Sequence, residues 1–197
     1  MTSELTFRII QALIIIVFIA HRGYYTRKYP SLEEETLEKQ ESSLSTRAAN
    51  LLSAAALLAL LVYLVNPRWL AWSAWPAADW MRWLGVIVAL VGFALLQWSH
   101  AALGRNWSDQ PRITATQKLV DHGPYRWIRH PIYTAFILIL GSTILITANW
   151  LVGGLWILVT LADIRSRIRF EETRMLNRFG DEYQAYRQRT GSLFPRL

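Results

Sequence analysis

The sequence contains no cysteine, so it offers no disulfide framework, no thiolate nucleophile and no cysteine ligand for a metal. It also has only four histidines, which are scattered along the chain and argue against a metal site. Motifs of the form Gly-x-Gly-x-x-Gly, Gly-x-x-x-x-Gly-Lys and His-Glu-x-x-His are absent. These absences remove the usual signatures of soluble nucleotide-binding proteins and zinc hydrolases.

Apolar and aromatic residues dominate what is present. Hydrophobic residues make up 53% of the chain, which also carries ten tryptophans in 197 residues. That composition is too apolar for an ordinary soluble domain and predicts an integral membrane protein. The net charge of +7 comes from arginines that collect beside apolar runs. We therefore expect membrane lipids, and no nucleic acid, as the partners of this positive charge.

Four apolar runs set the expected architecture. Runs at 6–21, 48–65 and 81–103 predict three membrane helices, with a polar loop at 30–46 between the first two. The fourth run, 132–162, has no charged residue and would form a helix of about 46 Å, beyond a hydrocarbon core of about 30 Å. It is better interpreted as a hairpin of two short arms that turns at 147–149.

The sequence thus predicts an all-α, polytopic membrane protein with about five transmembrane helices, a carboxyl-terminal helical hairpin and a cytosolic helical tail. We divide it into 1–103, three transmembrane helices with the polar loop, and 104–197, a catalytic region. The second part comprises a cytosolic loop, the transmembrane hairpin 132–162 and charged carboxyl-terminal helices.

Single residues predict several local features. Gly85 and Gly92 suit close packing of the third membrane helix against its neighbours. Pro131 suits the first turn of the fourth membrane helix. Gly180 should end the long charged helix, and Asp181 can cap a short last helix.

Positive charge predicts the orientation. With the amino terminus outside, 18 of the 21 Lys and Arg residues fall on one side, and Arg8, Arg68 and Arg82 fall on the other. Lys and Arg are enriched on the cytoplasmic side of membrane proteins. We expect a protein of a prokaryotic cytoplasmic membrane with its active site on the cytosolic face.

Residues 119–133 concentrate the polar chemistry of the chain at the start of the fourth apolar run. The segment contains two His, two Arg and two Tyr together with a Trp and two Pro. Ionisable groups at the mouth of a membrane helix indicate a functional site by default. An interfacial anchor of aromatic and basic residues fits the same pattern equally well.

Several separated motifs resemble one family. They are Leu119-Val120, Gly123-Pro124-Tyr125, Arg129-His130-Pro131-Ile132-Tyr133, Arg167, Glu171-Glu172, Phe179-Gly180, Tyr183, Tyr186 and Pro195. In order and spacing they resemble the isoprenylcysteine carboxyl methyltransferase family, over about half of the chain from Gly104 onward. The resemblance implies a membrane enzyme that transfers a methyl group from S-adenosylmethionine to a lipophilic acceptor, such as the carboxylate of an isoprenylcysteine.

The resemblance also implies roles for individual residues. As cofactor contacts it implies Gln110, Gln117, Lys118, Leu119, Val120, Gly123, Tyr125, His130, Pro131, Ile132, Tyr133 and Glu171. As catalytic residues it implies Arg167, Glu171, Arg129, His130 and Tyr133, of which Arg167 meets the carboxylate of the substrate. Gln117 departs from the family, where a His is frequent at this position. Arg165 and Arg169 bracket Arg167 and are the alternatives for its role.

Other functions remain open on the sequence. The acceptor could be a phospholipid amine or a small hydrophobic thiol, for which Tyr133 or His130 would be the first candidates to remove a proton. An NADPH-dependent membrane reductase and a non-catalytic lipid-binding module are further alternatives. At the level of residues, Arg129 could simply anchor the helix end to lipid phosphate. Arg167 and Glu171 could form a surface ion pair of little energetic value.

Overall fold

The computed structural model describes residues 2–29, 44–106 and 118–196, and within them the fold is all-α. Short 3-10 helices lie at Pro67–Ser73, Gly104–Asn106 and Gly123–Arg126. The α-helices of the described residues are α1 (Thr2–Lys28), α2 (Leu44–Val65), α3 (Asp79–Leu103), α4 (Pro131–Gly141), α5 (Thr143–Thr147), α6 (Trp150–Phe179) and α7 (Asp181–Arg189).

Membrane-crossing segments are found in the first three helices. Among the described residues, three helical stretches are long and apolar enough to cross a bilayer, at Ser3–Lys28, Arg47–Val65 and Asp79–Leu103. The apolar helix Pro131–Thr147 is shorter than these. The protein is therefore an integral membrane protein. The sequence predicted about five crossings, and the last two of them do not reach the length and composition of the first three.

The last apolar run is a helical hairpin, and it turns where the sequence predicts. Ala148 adopts a left-handed conformation with φ of +48°. Asn149 then caps α6, because its side-chain oxygen accepts a hydrogen bond from the backbone N–H of Val152 at 3.0 Å. The α6 helix continues past the apolar run to Phe179 and carries the charged residues outward.

Small residues let α3 pack closely on the hairpin, as the sequence predicts. A Cβ atom added at Gly85 would lie 2.8 Å from the side chain of Ile146, and one added at Gly92 would lie 2.7 Å from that of Ile139. A Cβ atom added at Gly153 on α6 would come closer still, at 2.2 Å from Cα of Ile144. Such approaches are the usual means by which membrane helices gain packing contacts without a hydrophobic driving force.

One end of the bundle, here called the far end, is tied together by a buried arginine. Arg82 lies at the start of α3 and is only 5% exposed. Its Nη1 contacts Oε2 of Glu4 at 2.7 Å, and its Nη2 donates to the hydroxyl of Tyr63 at 3.1 Å. Its Nε donates to the carbonyl oxygen of Ile146 at 2.8 Å. One guanidinium thus joins the ends of α1, α2, α3 and α5.

The opposite end, here called the site end, is where α1 and α3 finish and α4 begins. His21 Nε2 lies 3.1 Å from the side-chain oxygen of Gln97, which joins α1 to α3. The ring of Tyr25 lies 4.0 Å from that of His100. Arg22 places its guanidinium 5.5 Å from the ring centre of Phe136 on α4. The predicted functional segment therefore starts within a polar and aromatic layer.

The boundary between α6 and α7 lies at Gly180, as predicted, but the residue that caps the last helix differs from the prediction. Gly180 ends α6 with φ of +52°, and its N–H donates to the carbonyl oxygen of Leu176 at 2.8 Å. The sequence suggested Asp181 as the cap of the last helix, and this was wrong, because Gly180 is the cap residue. Asp181 is the first residue of α7, where its negative charge interacts favourably with the helix dipole.

Candidate active site

The segment that enters α4 is folded by a tight turn. Gly123 has φ of +59° and begins the 3-10 helix, and a Cβ atom at this position would lie 3.0 Å from that of Ala102 on α3. Tyr125 is buried, and its carbonyl oxygen accepts a hydrogen bond from the hydroxyl of Tyr186 at 2.7 Å. Burial raises the pKa of Tyr125. Pro131 then begins α4, as expected of a residue without a backbone N–H.

The carboxyl-terminal residues beyond α7 pair through their backbone with this segment. The backbone N–H groups of Arg129 and His130 donate to the carbonyl oxygens of Gly191 and Ser192 at 2.9 and 3.1 Å. The hydroxyl of Thr134 donates to the carbonyl oxygen of Leu193 at 2.7 Å. The end of the chain therefore fixes the backbone at the entrance to α4.

Tyr133 and His130 on the α4 side meet Glu171 on α6. The hydroxyl of Tyr133 donates a hydrogen bond to Oε1 of Glu171. Nδ1 of His130 lies 3.3 Å from Oε2 of the same carboxylate. The rings of His130 and Tyr133 stack with their centres 5.7 Å apart. Both carboxylate oxygens of Glu171 are thus held by residues of the segment that the sequence singled out.

Glu172 forms a second centre behind the first. Its Oε1 lies 2.9 Å from Nε of Arg129 and 3.4 Å from Nε2 of His130, and its Oε2 lies 3.4 Å from Nη2 of Arg187. The hydrogen bond with His130, opposed by burial and reinforced by Arg129, lowers the pKa of Glu172 to about 2. Glu172 is therefore a carboxylate at neutral pH.

His130 lies between the two carboxylates. Burial alone would lower the pKa of His130, but the hydrogen bonds to Glu171 and Glu172 outweigh burial and raise it. A protonated imidazole has an N–H donor on each nitrogen, which matches an acceptor on each side. The two carboxylates therefore favour the protonated form of His130, which burial opposes.

Arg167 lies one turn before Glu171 on the same helix. Its Nε pairs with both carboxylate oxygens of Asp163, at 3.0 and 2.9 Å, and its side chain is about one-third exposed. A helical ion pair with this exposure contributes about 0.3–0.5 kcal/mol. Breaking it costs little, so Arg167 is able to turn its guanidinium toward an incoming anionic group.

Residues 83–177 match the model of the isoprenylcysteine carboxyl methyltransferase (ICMT) family. This stretch runs from α3 to the far part of α6 and includes both the segment around His130 and the carboxylate of Glu171. Residues 83–177, just under half of the chain, belong to the ICMT family. The α7 helix and the residues that follow it lie beyond the matched residues.

Relatives of this ICMT-family chain carry two kinds of name. It is 30% identical over 118 residues to the protein-S-isoprenylcysteine O-methyltransferase of Tribolium castaneum, covering 59% of this chain and 42% of that protein. It is 29% identical over 117 residues to a probable enzyme of the same name from Oryza sativa subsp. indica, covering 58% and 61%. It is 39% identical over 71 residues to methanethiol S-methyltransferase 1 of Bradyrhizobium diazoefficiens, covering 36% and 24%.

The chain thus spans about two-fifths to three-fifths of the length of the isoprenylcysteine enzymes that it matches. Among solved structures it resembles the eukaryotic intramembrane Ras methyltransferase ICMT, with a TM-score of 0.55 and 21% identity. That likeness covers 81% of this chain and 54% of the other. At this identity it shows a shared fold.

The structure places the site residues predicted from the sequence in different surroundings. His130, Tyr133, Glu171 and Arg129 lie in one connected network, and Arg167 borders it. Leu119 and Val120 are half-buried on the approach to the turn, and Lys118 is exposed. Ile132 is half-buried at the start of α4. Gln110 and Gln117 lie outside the described residues.

The geometry bears on two alternative interpretations, and for Arg167 it changes the partner of the weak ion pair. The guanidinium of Arg129 also donates to the carbonyl oxygens of Arg187 and Thr190, so protein groups, and not lipid phosphate, surround it. Arg167 has its ion pair with Asp163 in place of the suggested surface pair with Glu171.

Sequence reasoning missed the residues that support the site without contacting Glu171. Glu172 was part of the quoted motif, but no role followed from its adjacency to Glu171. Arg187, Thr190 and Thr134 act through backbone carbonyls or through Glu172, and such contacts leave no recognisable spacing. The one available signal was the pair of consecutive glutamates, since neighbouring positions on a helix can serve two different partners.

Proposed function

We propose that this chain is a methyltransferase that works at the membrane surface, with S-adenosylmethionine as methyl donor and a lipophilic molecule as acceptor. The favoured reaction is carboxyl methylation of an isoprenylcysteine-like substrate. The observation that carries the proposal is the Glu171 carboxylate, held between Tyr133 and His130 at the start of an apolar helix. Membership of the ICMT family supports it independently.

The chemistry of these residues fits S-adenosylmethionine, which combines a sulfonium, an ammonium and a carboxylate. Glu171 supplies negative charge for a cationic group, and its side chain is 27% exposed, so it is reachable. The amino end of α4 supplies a positive field that suits a carboxylate. Gly123 and Tyr125 would form the wall of the turn, together with the predicted contacts at 118–120.

When bound, S-adenosylmethionine supplies a methyl group activated by its sulfonium. A carboxylate acceptor is already a nucleophile, so no residue of this chain has to remove a proton from it. Arg167 would bind and orient the acceptor carboxylate at the cost of its weak pair with Asp163. The remaining contribution is alignment and exclusion of water, which can lower a barrier by several kcal/mol.

Arg129 takes a positioning role in this proposal. It holds Glu172, and Glu172 holds the ring nitrogen of His130 that faces away from Glu171. It therefore orients the imidazolium without contacting the reacting groups. The sequence-based list placed Arg129 among the catalytic residues, and we propose that its effect on the reaction is exerted through His130.

Methylation of a small hydrophobic thiol is the second candidate. Similarity to methanethiol S-methyltransferases of Bradyrhizobium diazoefficiens and Mycobacterium tuberculosis favours it. A thiol has to lose its proton before it attacks, so Tyr133 would then relay that proton to the Glu171 carboxylate, or His130 in its neutral form would accept it. Methylation of a carboxylate depends on Arg167 more than on a base. Methylation of a thiol depends on a base more than on Arg167.

The proposed topology has five crossings with the amino terminus outside. α1, α2 and α3 cross first, the combined α4 and α5 cross fourth, and the apolar part of α6 crosses fifth. Because α4 and α6 have short apolar stretches, the membrane should be thinned or the helices extended around them. The site end, with its arginine-rich tail, faces the cytosol.

Methyl transfer to defined acceptors tests the proposal. Purified protein in lipid nanodiscs receives isotope-labelled S-adenosylmethionine with either a farnesylated cysteine carrying a free carboxylate or an alkyl thiol. A methyl ester releases methanol in base, whereas a thioether does not, so the product identifies the acceptor. Labelled ester that falls at least tenfold in Arg167→Gln, but stays unchanged in Arg178→Gln, supports the carboxyl reaction. No labelled product from either acceptor contradicts the methyltransferase.

A further inference from the structure

A polar cavity lies beside the candidate active site, between α7, the end of α6 and the carboxyl-terminal residues. Its volume is about 520 Å³, and it is a groove that is largely open on one side. It shares Arg129 with the network around Glu172, but neither Tyr133, Glu171 nor Arg167 lines it. The lining consists of Arg129, Leu176, Gln184, Arg187, Gln188, Thr190, Ser192 and Arg196.

Positive charge predominates in this cavity. Arg129, Arg187 and Arg196 contribute three guanidinium groups, and the lining contains no acidic side chain. The nearest carboxylate in the described network, Glu172, neutralises one charge through its contacts with Arg129 and Arg187. The remaining lining side chains include amides and hydroxyls that donate hydrogen bonds. Such a surface favours an anion with several acceptor oxygens.

The backbone pairing places the cavity beside the start of the apolar helix α4. Ser192 lines the cavity, and its carbonyl oxygen accepts from the N–H of His130, immediately before the apolar helix begins at Pro131. Leu193 is joined in turn to Thr134, one turn into α4. Phe194 follows and is 68% exposed, as aromatic residues at a headgroup layer commonly are.

We propose that this cavity binds a phosphate group, and that the group belongs to the headgroup of an anionic phospholipid. The arginines and amides would take the phosphate oxygens, while Leu176 and the adjacent Phe194 would contact the acyl-chain side of the lipid. A bound lipid would tie α7 to the membrane surface. The inference does not depend on the methyltransferase proposal, because it concerns residues outside the Tyr133 and Glu171 centre.

Lipid binding to the full chain can be measured by native mass spectrometry of detergent-solubilised protein titrated with phosphatidylglycerol, phosphatidylcholine or inorganic phosphate. We expect one phosphatidylglycerol to bind in preference to phosphatidylcholine. The variant R187Q/R196Q should weaken that binding about tenfold or more, since each arginine near an anionic lipid contributes about a factor of five. The matched control R165Q/R178Q loses the same charge from exposed positions of α6 outside the lining and should change binding less than twofold.

A second variant guards against misfolding of the first. Gln184 and Gln188 are exposed on α7, so Q184E/Q188E should fold normally while placing negative charge in the cavity. It should weaken phosphatidylglycerol binding as strongly as the arginine variant. Competition by millimolar inorganic phosphate would support the phosphate chemistry, and tighter binding of free phosphate than of the lipid would overturn the lipid assignment. Equal affinities in the parent and both cavity variants would overturn the proposal.

Discussion

The hydroxyl of Tyr133 donates to the carboxylate of Glu171, although 38 residues and the whole helical hairpin separate them in sequence. This contact joins the first turn of α4 to the charged extension of α6. It exists because the hairpin reverses the direction of the chain, so that α6 runs back past the first turn of α4. The candidate site is therefore a consequence of the turn at Ala148 as much as of the residues themselves.

Removal of the Tyr133 hydroxyl should reduce activity more than stability. Tyr133→Phe keeps the ring that stacks on His130 but leaves one oxygen of Glu171 without its donor. A hydrogen bond to a charged group is worth about 1.5–3 kcal/mol, so kcat/KM should fall about tenfold or more. Tyr24→Phe, at an exposed position on α1, is the matched control. Unchanged kcat/KM in Tyr133→Phe would separate the contact from catalysis.

Neutralisation of Glu172 should destabilise the site end. Glu172→Gln leaves Arg129, which is only 10% exposed, without its charge partner and removes the carboxylate from His130. A broken, largely buried pair costs about 3 kcal/mol, which lowers Tm by about 6–12 °C in a chain of this length. Thermal unfolding in detergent measures the shift. Glu182→Gln, on the exposed face of α7, should change Tm by less than 2 °C.

The pH dependence of stability follows from the raised pKa of His130. Its contribution is complete below the ordinary histidine value of 6.5 and is lost as the pH rises through the higher folded value. Glu172 acts at the other limit, since its contribution is present above 4.5 and is lost as the pH falls toward 2. The groups that contact His130 are Glu171, Glu172 and Tyr133.

We therefore expect the parent protein to exceed His130→Gln in Tm by the largest margin between pH 4.5 and 6.5. The margin should shrink as the pH is raised toward 9. Parallel melting curves across that range, with a constant difference between parent and variant, would show that His130 is not charged in the folded state.

The Arg82 network at the far end should contribute to the stability of the protein but not to S-adenosylmethionine binding. Arg82→Met removes the guanidinium that joins Glu4, Tyr63 and the carbonyl of Ile146. Loss of one partner from a buried charged network costs about 3 kcal/mol, while S-adenosylmethionine binding at the site end should stay within twofold of the parent. Arg68→Met, an exposed change at the same end, should affect neither property. Loss of binding in Arg82→Met without a lower Tm would contradict this division.

Gly191 should be intolerant of even one methyl group. A Cβ atom at this position would lie 1.6 Å from the carbonyl oxygen of Phe194, so the carboxyl-terminal residues would have to leave the backbone of Arg129. Gly191→Ala should therefore lower both Tm and S-adenosylmethionine affinity. Gly154→Ala offers a control, because nothing lies within 4 Å of its added Cβ atom. Equal behaviour of the two variants would show that the paired carboxyl-terminal residues do not support the site.

The sequence predicted those features that depend on local chemistry. Proline at the start of α4, glycine at the end of α6 and the hairpin turn near Asn149 follow from backbone preferences and from helix length. The close approach of Gly85 and Gly92 follows from residue size. Each of these is confirmed, because a single residue or a short run determines it.

The partners of individual charges could not be predicted in this way. Spacing placed Arg167 and Glu171 on one helical face, yet Asp163 lies at the same spacing on the other side of Arg167 and takes its ion pair. The role of Glu172 depends on Arg129 and Arg187, which tertiary packing brings together from different helices. The pairing of Gly191 with Arg129 uses backbone groups alone, and no side-chain pattern records it.

Glu171 should bind S-adenosylmethionine, and calorimetric binding to detergent-purified protein tests this role most directly. The parent should bind S-adenosylmethionine with micromolar affinity and should not bind a nicotinamide dinucleotide. Glu171→Gln should weaken that binding at least tenfold, or about 1.4 kcal/mol, whereas Glu182→Gln should leave it unchanged. Absence of S-adenosylmethionine binding to the parent, or equal affinity in Glu171→Gln, would contradict the account.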